Sequence, residues 1–221
     1  IRVLADAKQS KLTAGLKRVV CAQADPNPIV AGHGFQQLRE AGVIVDVGLL
    51  AEEAAWVTRS HILRQTTQRP FVQIKMALDS NFAIAEGDGA PVWVTCEEGR
   101  AFAHLLRAEA DAILVGAGTL RADDPRLDCR LPGMLDRSPD RIIIGNVASP
   151  SRWKAFQTHG VKPRVFLTAE PSQEKMPGGA TLLSGVNGRN GRVDLPALLA
   201  ALAKHGFTRL LVEGGPRMWR E

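Results

Sequence analysis

The sequence predicts an α/β fold around a largely parallel sheet, and three observations carry that prediction. Short apolar runs of strand length alternate with helix-length stretches from Lys17 onward, the pattern of βαβ units rather than of hairpins. Two of these runs, Ala112 to Val115 and Arg209 to Val212, pass directly into glycines and acids: Gly116-Ala117-Gly118-Thr119-Leu120-Arg121-Ala122-Asp123-Asp124-Pro125 and Glu213-Gly214-Gly215-Pro216. Arg69-Pro70 separates two alternating stretches, because proline disfavours helix in the residue before it and a new apolar run begins at Phe71. The expected domains are residues 1–69 and 70–221.

In the first domain a strand is expected over Lys17 to Ala22, then turns at Asp25-Pro26-Asn27-Pro28 and a short helix from Gly34 to Ala41 stopped by Gly42. A strand from Val43 to Val47 and one long helix from Ala51 to Gln68 complete a βαβα unit. Its apolar residues Val19, Val20, Val43, Val45, Trp56 and Ile62 are expected to be buried.

In the second domain a strand from Phe71 to Leu78 leads to a loop with Gly87, Gly89 and Pro91 and a short strand from Val92 to Val94. Thr95-Cys96-Glu97-Glu98 has capping-box spacing, so a helix is expected from Cys96 to Ala110. Further strands are expected at Ala112 to Val115, Arg141 to Ile144, Arg164 to Thr168, Ala180 to Ser184 and from Arg209. Asp194 with Pro196 marks a capped helix start, and Pro125 cuts short any helix that follows Gly116.

The chain of 221 residues can bury one good core, or hold one domain and part of another. A hydrophobic content of 45% without an apolar run near 18 residues argues against both disorder and a membrane span. No charged-then-apolar leader opens it, so a cytoplasmic location is expected. The 28 basic against 23 acidic residues give a charge of +5 and a pI near 9.4, which suits anionic ligands. Basic residues are scattered and tyrosine is absent, so small anionic substrates fit better than nucleic acid.

Cys21, Cys96 and Cys129 are widely spaced and give no disulfide framework. The five histidines and these cysteines contain no metal-ligand spacing, so no metal site is expected among these residues.

Glycines at a strand's C-terminal end let a ligand approach the main chain, and Thr119 and Asp123 can hydrogen-bond a sugar or phosphate held there. Gly214 and Gly215, ahead of Pro216, read as a diphosphate cradle at a helix start. Two glycine-ended strands favour a dinucleotide, although neither carries a full G-x-G-x-x-G. Plainer alternatives stand beside these readings: Trp93 as a core aromatic, Arg107 as a solvated helix charge, Asp124 as a turn cap. Glu213 is harder to reduce, because an acid ending an apolar strand needs a partner or a ligand.

Several segments resemble the bifunctional riboflavin-biosynthesis family that joins a pyrimidine deaminase to a reductase. Arg18-Val19-Val20, Asp25-Pro26-Asn27-Pro28-Ile29-Val30-Ala31-Gly32-His33-Gly34 and Gly42-Val43 resemble the end of its deaminase domain. Arg69-Pro70-Phe71-Val72-Gln73-Ile74-Lys75, Trp93-Val94-Thr95, Leu106-Arg107-Ala108-Glu109, Ala122-Asp123-Asp124-Pro125 and Val212-Glu213-Gly214-Gly215 resemble its reductase domain, in the family's order. The resemblance implies a dihydrofolate-reductase-like reductase domain that binds NADPH, preceded by a partial cytidine-deaminase-like α/β domain.

The implied reaction reduces the ribosyl group of 5-amino-6-(5-phosphoribosylamino)uracil to a ribityl chain, with hydride delivered to the former anomeric carbon after ring opening. By the same resemblance Trp93, Thr119, Asp123, Gly214 and Gly215 match cofactor contacts, and Arg107, Leu127, Arg130 and Glu213 match substrate contacts. Glu213 and Lys75 are the catalytic candidates, although Lys75 could either polarise the reacting sugar or simply project to solvent. A small phosphoribosyl-pyrimidine is then the partner, in a homo-oligomer without membrane or nucleic acid.

The sequence departs from the family in places. The deaminase signature of His-x-Glu followed by Pro-Cys-x-x-Cys is absent, so zinc and deamination are expected only if the full-length protein holds that motif. The family continues through further strands where this chain stops, and Pro91 replaces a usual serine. The altered stretch from Asp79 to Pro91 leaves open another phosphoribosyl or pterin substrate of the same fold. A non-catalytic nucleotide-binding module is the remaining alternative.

Overall fold

The computed structural model describes residues 15–78, 95–188 and 192–215. The chain forms two compact units, Ile1–Arg69 and Pro70–Glu221. No helix among the described residues is long and apolar enough to cross a membrane.

In the first unit, β1 (Arg18–Cys21) and β2 (Ile44–Val47) pair in parallel, with Val19 opposite Val45. A parallel pair needs a crossover, and α1 (His33–Glu40) supplies it, burying Leu38 beside Val43. The Asp-Pro-Asn-Pro segment is two successive side-chain turns: Asp25 Oδ1 accepts from the Asn27 N–H at 2.9 Å, and Asn27 Oδ1 from the Ile29 N–H at 3.0 Å.

The single long helix expected from Ala51 to Gln68 is instead two, α2 (Ala51–Val57) and α3 (Arg59–Thr67). The break falls at Thr58, whose hydroxyl donates back to the Ala54 carbonyl at 2.8 Å, a local bond that bends helices. Burial also differs from expectation, since Val20 is 51% and Trp56 69% exposed while Val43 is buried. Two paired strands offer too little surface to cover apolar residues on both faces of their ladder.

The second unit is a six-stranded, all-parallel sheet in the order β3-β8-β4-β5-β6-β7. Its strands are β3 (Phe71–Lys75), β4 (Ala112–Gly116), β5 (Asp140–Ile144), β6 (Val165–Leu167), β7 (Ala180–Leu182) and β8 (Arg209–Glu213). The helices are α4 (Glu97–Glu109), α5 (Ala117–Asp123) and α6 (Leu195–Lys204). The α4 crossover from β3 to β4 and the α6 crossover from β7 back to β8 run in opposite directions along the sheet. Right-handed crossovers of opposite direction place their helices on opposite faces.

The two core clusters follow that division. Ile113, Val115, Ile143 and Leu211 pack with Leu106 of α4 on one face, and Leu114, Ile142, Leu210 and Val212 with Leu198 and Leu202 of α6 on the other. Covered on both sides, β4 reads as an unbroken apolar run. Each such side chain contributes about 1.5 to 3 kcal/mol when fully buried.

Element ends differ from expectation for local reasons. β3 stops at Lys75 rather than Leu78 because its ladder partner β8 ends at Glu213, opposite Lys75. The α4 cap is Cys96 rather than Thr95: Cys96 Sγ accepts from the Gly99 N–H at 3.4 Å, while the Thr95 carbonyl is held by Arg100 at 2.7 Å. At α6 the expected cap is found, with Asp194 Oδ1 accepting from the Ala197 N–H at 3.0 Å. The expected loop and short strand from Asp79 to Val94, including Trp93, lie outside the described residues.

Candidate active site

The parallel strands of the second unit all deliver their C-terminal ends to one edge, where open α/β sheets bind ligands. A cleft of about 1210 Å³ runs along it, from Lys75 at the end of β3 to Thr168 just beyond β6. Gly116 and Gly118 border the cleft, as do Gly214 and Gly215. A Cβ built on Gly118 or Gly215 would meet no atom within 4 Å, so both main chains face open space.

The charged end is organised by Arg107 and Glu213. Arg107 sits in the last turn of α4, where a cation is favoured by the helix dipole. Its Nε donates to Glu213 Oε1 and its Nη2 to Glu213 Oε2, both at 2.8 Å, in a forked ion pair. Both side chains are 13% exposed. Burial alone would push the Glu213 carboxyl up, but the Arg107 hydrogen bonds and charge, helped by Lys75 and His104, hold it below the usual range. Burial likewise opposes the charge on Arg107, and Glu213 outweighs it, raising the guanidinium above its ordinary value. Both groups are therefore charged at neutral pH.

A third Arg107 bond, from Nη1 to the Asp128 carbonyl at 3.1 Å, ties α4 to the segment after Pro125. That segment has an uncommon backbone: Asp124 and Leu127 have φ of 40° and 59°, a left-handed conformation that β-carbon-bearing residues rarely adopt. The buried Asp128 carboxylate pairs with Arg126 and, at 3.1 Å, with Arg130. Those arginines keep its pKa low against the opposing effect of burial. The Arg130 N–H donates to His104 Nδ1 at 3.2 Å, so the ring accepts on that nitrogen. Burial, reinforced by Arg107 and Arg130, depresses the His104 pKa against the opposing pull of Asp128 and Glu213.

The adjacent acids Asp123 and Asp124 are separated by geometry. Asp124 Oδ1 accepts from the Lys154 N–H at 2.9 Å, and its Oδ2 pairs with Lys154 Nζ at 3.2 Å, so this acid closes α5 onto the next segment. Asp123 is exposed and lines the cleft, as does Thr119 in the first turn of α5. The residues expected to be catalytic or ligand-binding thus divide clearly. Lys75, Arg107, Thr119, Asp123, Leu127, Glu213, Gly214 and Gly215 line one cleft. Arg130 does not line it, but joins its wall through Asp128.

Sequence reasoning passed over the far half of the cleft. There Thr168 Oγ1 accepts from the Gly145 N–H at 3.0 Å, and the Thr168 carbonyl accepts from Asn187 Nδ2 at 2.8 Å. These bonds join the ends of β5 and β6 to the loop before α6. A hydroxyl closing an apolar strand, the feature that drew attention to Thr119, is present at Thr168 as well. Among the described residues no group of three or more His, Cys, Asp or Glu side chains could hold a metal ion.

The family model for the RibD C-terminal domain matches residues 70–221. The riboflavin biosynthesis protein RibD of Aquifex aeolicus is 35% identical over 212 residues, covering 93% of this chain and 57% of its own length. That of Escherichia coli is 34% identical over 222 residues, covering 94% and 59%. The chain therefore spans little more than half the length of these relatives.

Among solved structures, the diaminohydroxyphosphoribosylaminopyrimidine deaminase / 5-amino-6-(5-phosphoribosylamino)uracil reductase of Thermotoga maritima superposes with a TM-score of 0.80 at 30% identity, covering 97% of this chain and 58% of that one. RibD of Acinetobacter baumannii superposes with a TM-score of 0.76 at 27% identity, covering 91% and 56%.

Proposed function

The chain belongs to the RibD C-terminal domain family, and from that membership we propose that its second unit is an NADPH-dependent reductase of riboflavin biosynthesis acting on 5-amino-6-(5-phosphoribosylamino)uracil. The observation that carries the reading is the cleft at the sheet's C-terminal edge, where Lys75, Glu213 and Arg107 form a charged row beside two glycine-bordered main chains.

The open glycine positions and the size of the cleft fit a dinucleotide. In this reading Thr119, Asp123 and the Gly214-Gly215 turn hold NADPH, with Trp93 as a further contact outside the described residues. The cofactor supplies the hydride.

The chain's own residues supply alignment and charge. Glu213 is held ionised by Arg107 and offers acceptors to the hydroxyls of the sugar. Lys75, directly opposite Glu213 in the β3–β8 ladder, polarises the reacting end of the ribosyl group. Leu127 excludes water from the wall beneath it. Arg130 presents its remaining guanidinium donors to the phosphate, while Arg107, whose fork is committed to Glu213, contributes charge.

The first unit, in this reading, is part of a cytidine-deaminase-like domain. The residues that would bind zinc for deamination are not among these 221, so that activity belongs to the full-length protein if it holds them. The full-length protein, mixed with NADPH, should oxidise the cofactor only when the phosphoribosyl substrate is present, read as loss of reduced-nicotinamide absorbance. No oxidation with this substrate, or faster oxidation with a dihydropterin, would overturn the assignment.

A further inference from the structure

We propose that Asp128 is a positioning residue, buried beneath the cleft wall, that aims Arg130 at the phosphoryl group of the substrate. The inference rests on the reading of Arg130 as the phosphate contact. Asp128 is 1% exposed, between the buried Leu127 and Cys129. Its Oδ1 pairs with Arg130 at 3.1 Å, its Oδ2 with Arg126, and its carbonyl accepts from Arg107 at 3.1 Å. One buried residue therefore touches three arginines.

Its own position is fixed. The Cys129 N–H donates to Ser138 Oγ at 3.0 Å, and the Arg130 N–H donates to His104 Nδ1 at 3.2 Å. An arginine side chain 46% exposed would otherwise sample many rotamers; a bond to a buried carboxylate confines it to those that keep the guanidinium beside Asp128.

The charge balance gives the second argument. A buried carboxylate needs a cationic partner, but a single arginine would suffice. Among the described residues, three arginines, Arg107, Arg126 and Arg130, pair with the two carboxylates of Glu213 and Asp128, and the buried Arg141 lies within electrostatic range of Asp128. Arg141 donates to the Ala155 carbonyl, and burial pushes its pKa down to about 10. The surplus of positive charge complements a phosphomonoester dianion, and Asp128 determines which arginine presents it.

The test uses the full-length protein, the phosphoribosyl substrate and its dephosphorylated ribosyl analogue. Asp128→Asn should raise KM for the phosphorylated substrate about tenfold, the loss expected for one charge-assisted bond. kcat and the KM for NADPH should stay within about twofold, and kcat/KM for the dephosphorylated analogue should not change. Arg130→Ala should remove the same selectivity, and adding Asp128→Asn to it should have no further effect.

Equal losses on both substrates in Asp128→Asn, with selective losses in Arg130→Ala, would overturn the positioning role alone. Equal losses in Arg130→Ala would overturn the phosphate reading and this inference with it. Should Asp128→Asn not fold, Asp128→Glu keeps the charge but displaces it by one methylene. It should still weaken the phosphorylated substrate selectively, and a change common to both substrates would count against the proposal.

Discussion

Arg107 and Glu213, 106 residues apart in sequence, meet through two 2.8 Å hydrogen bonds on the lining of the cleft. Because both side chains are largely withdrawn from water, neither can be removed without leaving the other's charge poorly solvated. Arg107→Ala should therefore destabilise the protein by about 3 kcal/mol, read from the urea midpoint.

Glu213→Gln retains the shape and one acceptor, so it should fold. Turnover of the phosphoribosyl substrate should drop by roughly a hundredfold while NADPH affinity stays within about twofold. Parallel losses of turnover and cofactor affinity would show instead that Glu213 serves the cofactor.

Asp123→Ala and Asp124→Ala should have opposite effects. Asp123 is exposed in the cleft and forms no side-chain hydrogen bond or ion pair among the described residues, so its removal should cost NADPH binding about 1 to 3 kcal/mol and leave the melting temperature unchanged. Asp124 is bonded to Lys154 and closes α5, so its removal should lower stability by about 1 kcal/mol and leave NADPH titrations unaltered. Titration calorimetry and thermal melts on the two variants separate these outcomes.

His104 should make stability depend on pH in the mildly acidic range. Its folded pKa lies below the ordinary 6.5, so between the two values the unfolded chain binds the proton and the folded one does not. Its contribution is fully present above about pH 6.5 and is lost as pH falls toward the folded value. His104→Asn, which keeps an acceptor for the Arg130 N–H, should flatten that part of the profile. The depressed Glu213 carboxyl acts lower: its stabilisation is present above the ordinary 4.5 and fades only below it. Melts across the two ranges test each group separately.

Thr168→Val should leave the Gly145 N–H without its acceptor at nearly constant volume. The expected cost is about 1 kcal/mol of stability, together with weaker NADPH binding as the far wall of the cleft loosens. A variant as stable as the parent with unchanged affinity would remove Thr168 from the site.

Apart from the short helix α5, which the sequence did not announce between Gly116 and Pro125, the order of the described strands and helices in the second unit was legible in the sequence, for a physical reason. A strand covered on both faces must be apolar at every position, so Ala112 to Val115 and Arg209 to Val212 declare themselves locally. Glycines and acids at their ends then point to the edge where a ligand can reach the main chain, which brought Thr119, Asp123, Glu213, Gly214 and Gly215 into view. Helix caps were legible to within a residue, since a cap is a local hydrogen bond: Asp194 was found where expected, and Cys96 one residue beyond the expected Thr95.

Only the tertiary structure decided what lies beside what. Nothing in the sequence of β8 says that it inserts between β3 and β4, yet that insertion sets Glu213 opposite Lys75 and within reach of Arg107. Whether Arg107 is a solvated helix charge, and which of Asp123 and Asp124 faces the cleft, likewise depended on partners distant in sequence. The same holds for Asp128, an unremarkable acid among arginines until burial places it between two of them. Local pattern specifies elements because backbone bonding and one-sided or two-sided burial are local demands, whereas charge pairing and cleft geometry arise from long-range packing that no single segment encodes.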